Sequence, residues 1–273
     1  MHHNKLDMGR AWTHATGMVG ANRDLVSVLA GVFLFLPLFV LLTALLGSGI
    51  DFGPEGADPD PEKITEQINA LLFANWWALL LVGLGQICAS IAILALLGDP
   101  GRPTVREALA RLPRLALTVL GTQLMVGVLT QLPSLLARLL PELAEAAVSL
   151  VILPVTLYLT VKFSLAIAVI VLGGQRNPIE AMRRSWRLTR ANSFRLFAFF
   201  AVLVFLGLVI GLIVSLVLGL VFAALGERVA LFGNAAFYAL LMTVFYTIAY
   251  ALTVAIYRQL SQAPAERDAE LFE

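Results

Sequence analysis

Lys162 is the charged residue that falls deepest inside an apolar run, in Leu157-Tyr158-Leu159-Thr160-Val161-Lys162-Phe163-Ser164-Leu165. It stands about ten residues, roughly 15 Å of helix, from the end of that run at Leu172. An ammonium at that depth is costly if it faces lipid, and an intramembrane ionisable group ordinarily has a function and a partner on another helix. No carboxylate lies well inside any apolar run of this chain, which argues against a proton relay of the kind that drives coupled transport. The remaining partners are Gln86, Gln123, Gln131, backbone carbonyls, water or an anionic headgroup drawn inward. Alternatively the helix is long and tilted, and the lysine stem lets its ammonium snorkel to the phosphate level.

The second group with chemistry in it is the row Arg183, Arg184, Arg187 and Arg190. Each basic side chain near an anionic leaflet contributes about 1 kcal/mol, so the row is a candidate contact for anionic lipid. The same row also serves plain topology determination. Catalytic chemistry finds no footing. The three histidines, His2, His3 and His14, all lie near the N-terminus, and Cys88 is the single cysteine, so neither a disulfide within the chain nor a multi-cysteine metal motif is available. There is no Gly-x-Ser-x-Gly, no His-Glu-x-x-His and no phosphate-binding Gly-Lys motif. The sequence therefore predicts no catalytic residue, no metal ligand and no cofactor site, and a net charge of +1 gives no reason to expect nucleic acid.

The elements that hold these residues are set by composition. Of 273 residues, 59% are hydrophobic and 14% charged, against about 25% charged in an ordinary soluble domain. Runs long enough for a bilayer of about 30 Å occur at Leu25–Leu46, Trp76–Leu97, Leu115–Ala137, Ala144–Leu172, Leu196–Leu225 and Val229–Tyr257. The first lacks a small-residue cleavage site and reads as a retained helix, not a signal peptide. The fold class is all-α, a polytopic membrane protein of six transmembrane helices.

Six spans put both termini on one side. Lys5, Arg10 and Arg23 precede the first span; Arg102, Arg106, Arg111 and Arg114 precede the third; Arg176, Arg183, Arg184, Arg187, Arg190 and Arg195 precede the fifth. The opposite loops hold Lys63, Arg138 and Arg228, with Asp51, Glu55, Asp58, Asp60, Glu62 and Glu66 crowded into the first of them. The positive-inside rule makes the basic side, and with it both termini, cytoplasmic. Trp76, Trp77 and Tyr257 stand where interfacial aromatics belong. In the first outer loop, Pro61 to Leu72 has helical apolar spacing through Ile64 and Ile68 and predicts a short surface helix.

A short motif recurs before each odd-numbered span: Met8-Gly9-Arg10-Ala11-Trp12, Leu109-Ala110-Arg111-Leu112-Pro113 and Met182-Arg183-Arg184-Ser185-Trp186. Each copy reads as an amphipathic helix on the cytoplasmic face. In the third, Ile179, Met182 and Trp186 form the apolar stripe, Asn177 caps, Pro178 takes the first helical position and Glu180 completes a capping box. Thr104 and Glu107 make the same box in the second, ahead of a stripe of Val105, Ala108, Leu109 and Leu112. These motifs predict one membrane domain, residues 1–273, of three units, about 5–97, 102–172 and 177–260, each a surface helix followed by a transmembrane hairpin, with a polar tail at 261–273. Convergent composition before inside-facing spans is the competing account of the repeat. Gly207 and Gly211 give a Gly-x-x-x-Gly on the fifth span, and Gly83 and Gly85 a close pair on the second. Both suit tight helix packing, within the chain or between copies.

The stretch from Asn177 through Pro178-Ile179-Glu180-Ala181-Met182-Arg183-Arg184-Ser185-Trp186-Arg187-Leu188-Thr189 to Arg190 resembles a bacterial membrane family, the YciC-like proteins, also called the glycerophosphoryl diester phosphodiesterase membrane domain. Ala191 stands where that family usually has Gly after Leu-Thr-Arg. The resemblance implies a multi-pass protein of the bacterial inner membrane, sometimes fused to a phosphodiesterase domain that performs the chemistry; this sequence holds no such domain. Together these readings give a non-enzymatic scaffold or lipid-interacting protein, with membrane lipids, anionic ones among them, and a second copy or an envelope protein as partners. The other reading is a transporter or channel with a polar path near Lys162, Gln123 and Gln86.

Overall fold

The computed structural model describes residues 6–48, 61–99 and 104–270. Lys5, Arg102 and the acidic residues Asp51, Glu55, Asp58 and Asp60 of the first outer loop lie outside the described residues. All the regular structure described is helical: α1 Met8–Ala21, α2 Arg23–Ala30, a π-helical turn Gly31–Phe35, α3 Leu36–Gly47, α4 Pro61–Ala74, α5 Trp76–Gly98, α6 Val105–Leu109, α7 Leu112–Ala137, α8 Glu142–Phe163, α9 Ala166–Val171, α10 Pro178–Thr189, α11 Ser193–Ala224 and α12 Glu227–Glu270. Six helical stretches are long and apolar enough to cross a membrane: Arg23–Gly47, Trp76–Gly98, Leu112–Ala137, Val148–Val171, Ser193–Ala224 and Glu227–Ser261. They coincide with the six apolar runs of the sequence. The short helix expected from Pro61 to Leu72 is α4.

The helices form two compact groups. The first comprises Met1–Arg23, Ser90–Phe205 and Ile248–Glu273; the second comprises Asp24–Ala89 and Leu206–Thr247. Three basic segments, those preceding the first, third and fifth spans, thus fall in the first group, although the elements that follow the motif differ in length: 14 residues in α1, 5 in α6 and 12 in α10.

In the first group the core is the C-terminal half of α5 with α9 and part of α12. Ile91, Ala92, Ile93 and Ala95 are buried in full, as are Val169, Ile170, Leu252 and Ile256. Such a helix is apolar all round because protein surrounds it on every side. The ends are tied by long-range hydrogen bonds. Arg258 of α12 donates to the Gly98 carbonyl at the end of α5 (2.9 Å), one of the carbonyls a helix terminus leaves without a donor. The Leu6 N–H donates to Asn192 Oδ1 at 2.9 Å and the Leu6 carbonyl accepts from Arg195 at 3.2 Å, so the backbone just before α1 is held by the start of α11.

In the second group Pro37 organises the first span. Proline has no N–H, so the carbonyl four residues earlier, Phe33 O, loses its helical donor. The helix widens there into the π turn, with Leu36 N–H reaching back to Gly31 O. Gly85 of α5 lies directly on the Phe33 carbonyl: a Cβ at that position would come within 2.3 Å of the oxygen and 3.1 Å of Pro37 Cγ. Gly211 of α11 is used in the same way, since a Cβ there would meet Leu241 Cδ2 of α12 at 2.8 Å. The Gly-x-x-x-Gly spacing therefore seats α11 on α12 of the same chain.

The fit at Gly85 predicts that Gly85→Ala lowers stability by roughly 1–3 kcal/mol, the usual cost of overpacking. Gly83→Ala, whose added Cβ meets nothing within 4 Å, does not lower it and gains up to about 1 kcal/mol from helix propensity. Thermal unfolding of the two variants in detergent, followed by circular dichroism, separates them.

Candidate functional site: a basic helix docked over Lys162

The apolar run around Lys162 is not one continuous helix. α8 ends at Phe163, Ser164 and Leu165 form a turn, and α9 begins at Ala166, with Leu165 at φ −95°, ψ 0°. The break releases backbone carbonyls that the next helical turn would have bonded. The Lys162 carbonyl is one of them, and it is met from α10: Ser185 Oγ donates to it at 2.7 Å, while Thr189 Oγ1, whose nearest acceptor is the Ser185 carbonyl at 3.0 Å, lies 3.5 Å away. Ser164 Oγ bonds the Val161 carbonyl at 2.8 Å.

α10 presents a face of small residues to do this. Ala181, Ser185 and Thr189, spaced four apart and so aligned along one side of the helix, are buried in full, with Met182 beside them. This differs from the expected stripe of Ile179, Met182 and Trp186. Ile179 is 48% exposed and Trp186 half-buried; the helix packs on α7, α8 and α9. Small side chains let two backbones approach closely enough for a hydroxyl to reach a main-chain carbonyl, which a stripe of large residues would prevent. The first motif copy behaves alike: Ala11 and Ala15, aligned with Ser185 and Thr189, are the buried residues of α1.

The caps divide between the two later copies. Thr104 and Glu107 form the full capping box ahead of α6. At α10 Asn177 Oδ1 accepts from Ile179 N and Glu180 N, but Glu180 does not turn back to the cap. Its carboxylate instead accepts from Arg187 at 3.0 Å and lies 3.9 Å from Arg183. Two guanidiniums outcompete one backbone N–H for the same anion.

Lys162 is 2% exposed. Its ammonium lies 5.2 Å from the Tyr158 ring centroid and 5.1 Å from that of Trp186, and the two rings meet edge to face at 5.7 Å. A cation desolvated between two aromatic faces is held by their quadrupoles, each such contact being worth about 2 kcal/mol when water is excluded. The partners are therefore aromatic, and among the described residues no carboxylate pairs with Lys162. Gln123, half-buried on α7, is not among its contacts, and Gln86 belongs to the second compact group. Trp186 of α10 lies over the ammonium. Tyr158, Ser185 and Thr189 are the site residues that sequence reasoning passed over; the positions of Ser185 and Thr189 hold Ala11 and Ala15 in the first motif copy and Leu112 and Ala116 in the second, so the repeat gave no signal for a hydroxyl there.

Beside this contact an open cavity of about 590 Å³ lies between α7, α8 and α10, lined by Met125, Phe163, Met182 and Trp186 together with Glu180, Arg183 and Arg187. Arg183 and Arg187 expose 73% and 70% of their side chains. Arg190 is exposed and Arg184 half-buried. Among the described residues no cluster of three His, Cys, Asp or Glu side chains is placed to hold a metal ion.

Residues 106–260 match the family described as a domain of unknown function, DUF7847. The chain belongs to that family. No curated protein and no solved structure matches the chain. The DUF7847 segment begins within α6 and ends near the close of the sixth span, so it contains the α8–α9 break, Lys162 and the whole of α10.

The docking contact makes its own prediction. Ser185→Ala removes the 2.7 Å donor of the Lys162 carbonyl and costs about 1–3 kcal/mol, whereas the exposed Arg190→Gln changes stability by less than about 0.5 kcal/mol. Unfolding temperatures in detergent check both.

Proposed function

We propose that this chain is a non-enzymatic, multi-pass protein of the bacterial inner membrane, with both termini cytoplasmic, whose basic face binds anionic lipid and so serves as a lipid-interacting or scaffold element of the cell envelope. The observation that carries the proposal is the presentation of α10. Its small face is consumed by docking, which turns Arg183 and Arg187 outward with most of their surface free, beside an apolar cavity rather than a polar one. Guanidiniums so placed meet lipid phosphate through paired, charge-assisted hydrogen bonds. The three basic segments of the chain belong to one compact group, and their charge supports the same orientation by the positive-inside rule.

Two further points favour this reading. The resemblance of residues 177–190 to the YciC-like proteins implies a membrane part that leaves chemistry to another domain. A lysine sealed between Tyr158 and Trp186 suits a structural brace better than the wall of a solute path, so the transporter reading has less to rest on. A second copy of the chain or an envelope protein remains the natural partner of a scaffold in the bilayer.

Native mass spectrometry of the detergent-solubilised chain tests the proposal. The wild type is expected to retain acidic phospholipid, and a chain carrying Arg183→Gln, Arg184→Gln and Arg187→Gln to lose most of it, since about 1 kcal/mol per arginine compounds to a factor of roughly a hundred. Equal retention by both would count against the reading. The orientation has its own check: a fluorescent protein fused after Glu273 should fluoresce, and alkaline phosphatase fused at the same point should be inactive.

A further inference from the structure

We infer that the cavity between α7, α8 and α10 is a specific site for one acidic phospholipid of the bilayer, its phosphate on Arg183 and Arg187 and one acyl chain over Met125, Phe163 and Trp186. The inference rests on the lipid-binding reading above and assigns it a place and a ligand geometry.

Three features of the cavity select that ligand. Its lining sets the apolar Met125, Phe163, Met182 and Trp186 beside the charged Glu180, Arg183 and Arg187, which matches an amphiphile and not a small polar solute. Arg183 and Arg187 are four residues apart and therefore neighbours on the helix surface, close enough for one phosphate to engage both. Glu180 already occupies the position of such an anion: its carboxylate accepts from Arg187 at 3.0 Å and faces Arg183 at 3.9 Å. With 38% of its side chain exposed, this pair is a weak, solvent-screened one. A phosphodiester, with more acceptor oxygens and an acyl chain to bury, displaces it.

Glu180 is thus a built-in competitor. It leaves this cluster with one net positive charge, so a lipid bearing a single net negative charge balances the site. A zwitterionic headgroup brings an ammonium that adds nothing to that balance. Removing the carboxylate strengthens anionic lipid binding, an effect opposite in sign to that of removing either arginine. A surface helix that only set topology would show neither.

Trp186 lines the cavity and reports on its occupant. The test uses the full chain with Trp12→Phe, Trp76→Phe and Trp77→Phe, leaving Trp186 as the sole tryptophan, reconstituted in phosphatidylcholine vesicles. Phosphatidylglycerol or phosphatidylethanolamine with brominated acyl chains is then titrated in, and quenching of Trp186 is followed. Brominated phosphatidylglycerol is expected to quench half-maximally at a mole fraction at least about fivefold below that of brominated phosphatidylethanolamine. Arg183→Gln with Arg187→Gln should abolish the difference, and Glu180→Gln should move the phosphatidylglycerol curve to lower mole fraction. Equal quenching by the two lipids, stronger quenching by phosphatidylethanolamine, or a preference indifferent to Glu180→Gln overturns the inference. If the wild type still retains acidic lipid in native mass spectrometry, such a result removes only this site. If it retains none, the lipid-binding reading falls as well. Should the double arginine variant fail to reconstitute, Glu180→Gln, which gains affinity, decides by itself.

Discussion

A single backbone carbonyl, that of Lys162, governs how α10 sits against α8 and α9. It is left without a helical donor where α8 breaks at Ser164 and Leu165, and a buried carbonyl without a partner is expensive. Ser185 supplies the donor, and it can do so only if α10 lies flush against the break. That requirement fixes which face of α10 is buried, hence where its arginines point and how the cavity beside Met125 and Phe163 is walled. The aromatic enclosure of the Lys162 ammonium by Tyr158 and Trp186 closes the same contact from the side-chain end. One residue is therefore bound to α10 twice, through its main chain and through its charge.

How much of this was visible in the sequence depended on which physical signal carried it. The six spans follow from uninterrupted apolar runs, because a bilayer imposes a length that few other environments demand. The helix at Pro61–Ala74 followed from apolar spacing, and the Thr104–Glu107 box from its four-residue signature. The face of α10 that docks on the protein was not legible, because amphipathic reasoning considers only large apolar residues and assigned Ile179, Met182 and Trp186 to the membrane interface. Close packing of helix on helix instead uses small residues, burying Ala181, Ser185 and Thr189 and leaving Ile179 exposed. The α8–α9 break had no Pro or Gly to announce it.

The Lys162 environment shows the same limit. Sequence reasoning sought hydrogen-bonding partners for the ammonium among the amides of other spans, Gln123 and Gln86. The structure answers with aromatic rings, one of them four residues earlier on the same helix. Tyr158 and Lys162 are neighbours by helical spacing alone, but an aromatic partner could be recognised only once Trp186, 24 positions later in the numbering, was known to lie over them. Glu180 is a parallel case: its position suits a capping carboxylate, but it does not cap, because its pairing with Arg183 and Arg187 was a competition whose outcome needed side-chain positions.

The grip of Asn192 and Arg195 on Leu6 reaches into how the chain is made. The groups that hold Leu6 lie 186 and 189 positions further on. Synthesis proceeds at about 5–20 residues per second, so α1 waits roughly 10–40 s after its own synthesis for this anchor. Throughout that interval the Leu6 N–H and carbonyl need other partners, and the first compact group cannot close until segments far apart in the sequence have both been made.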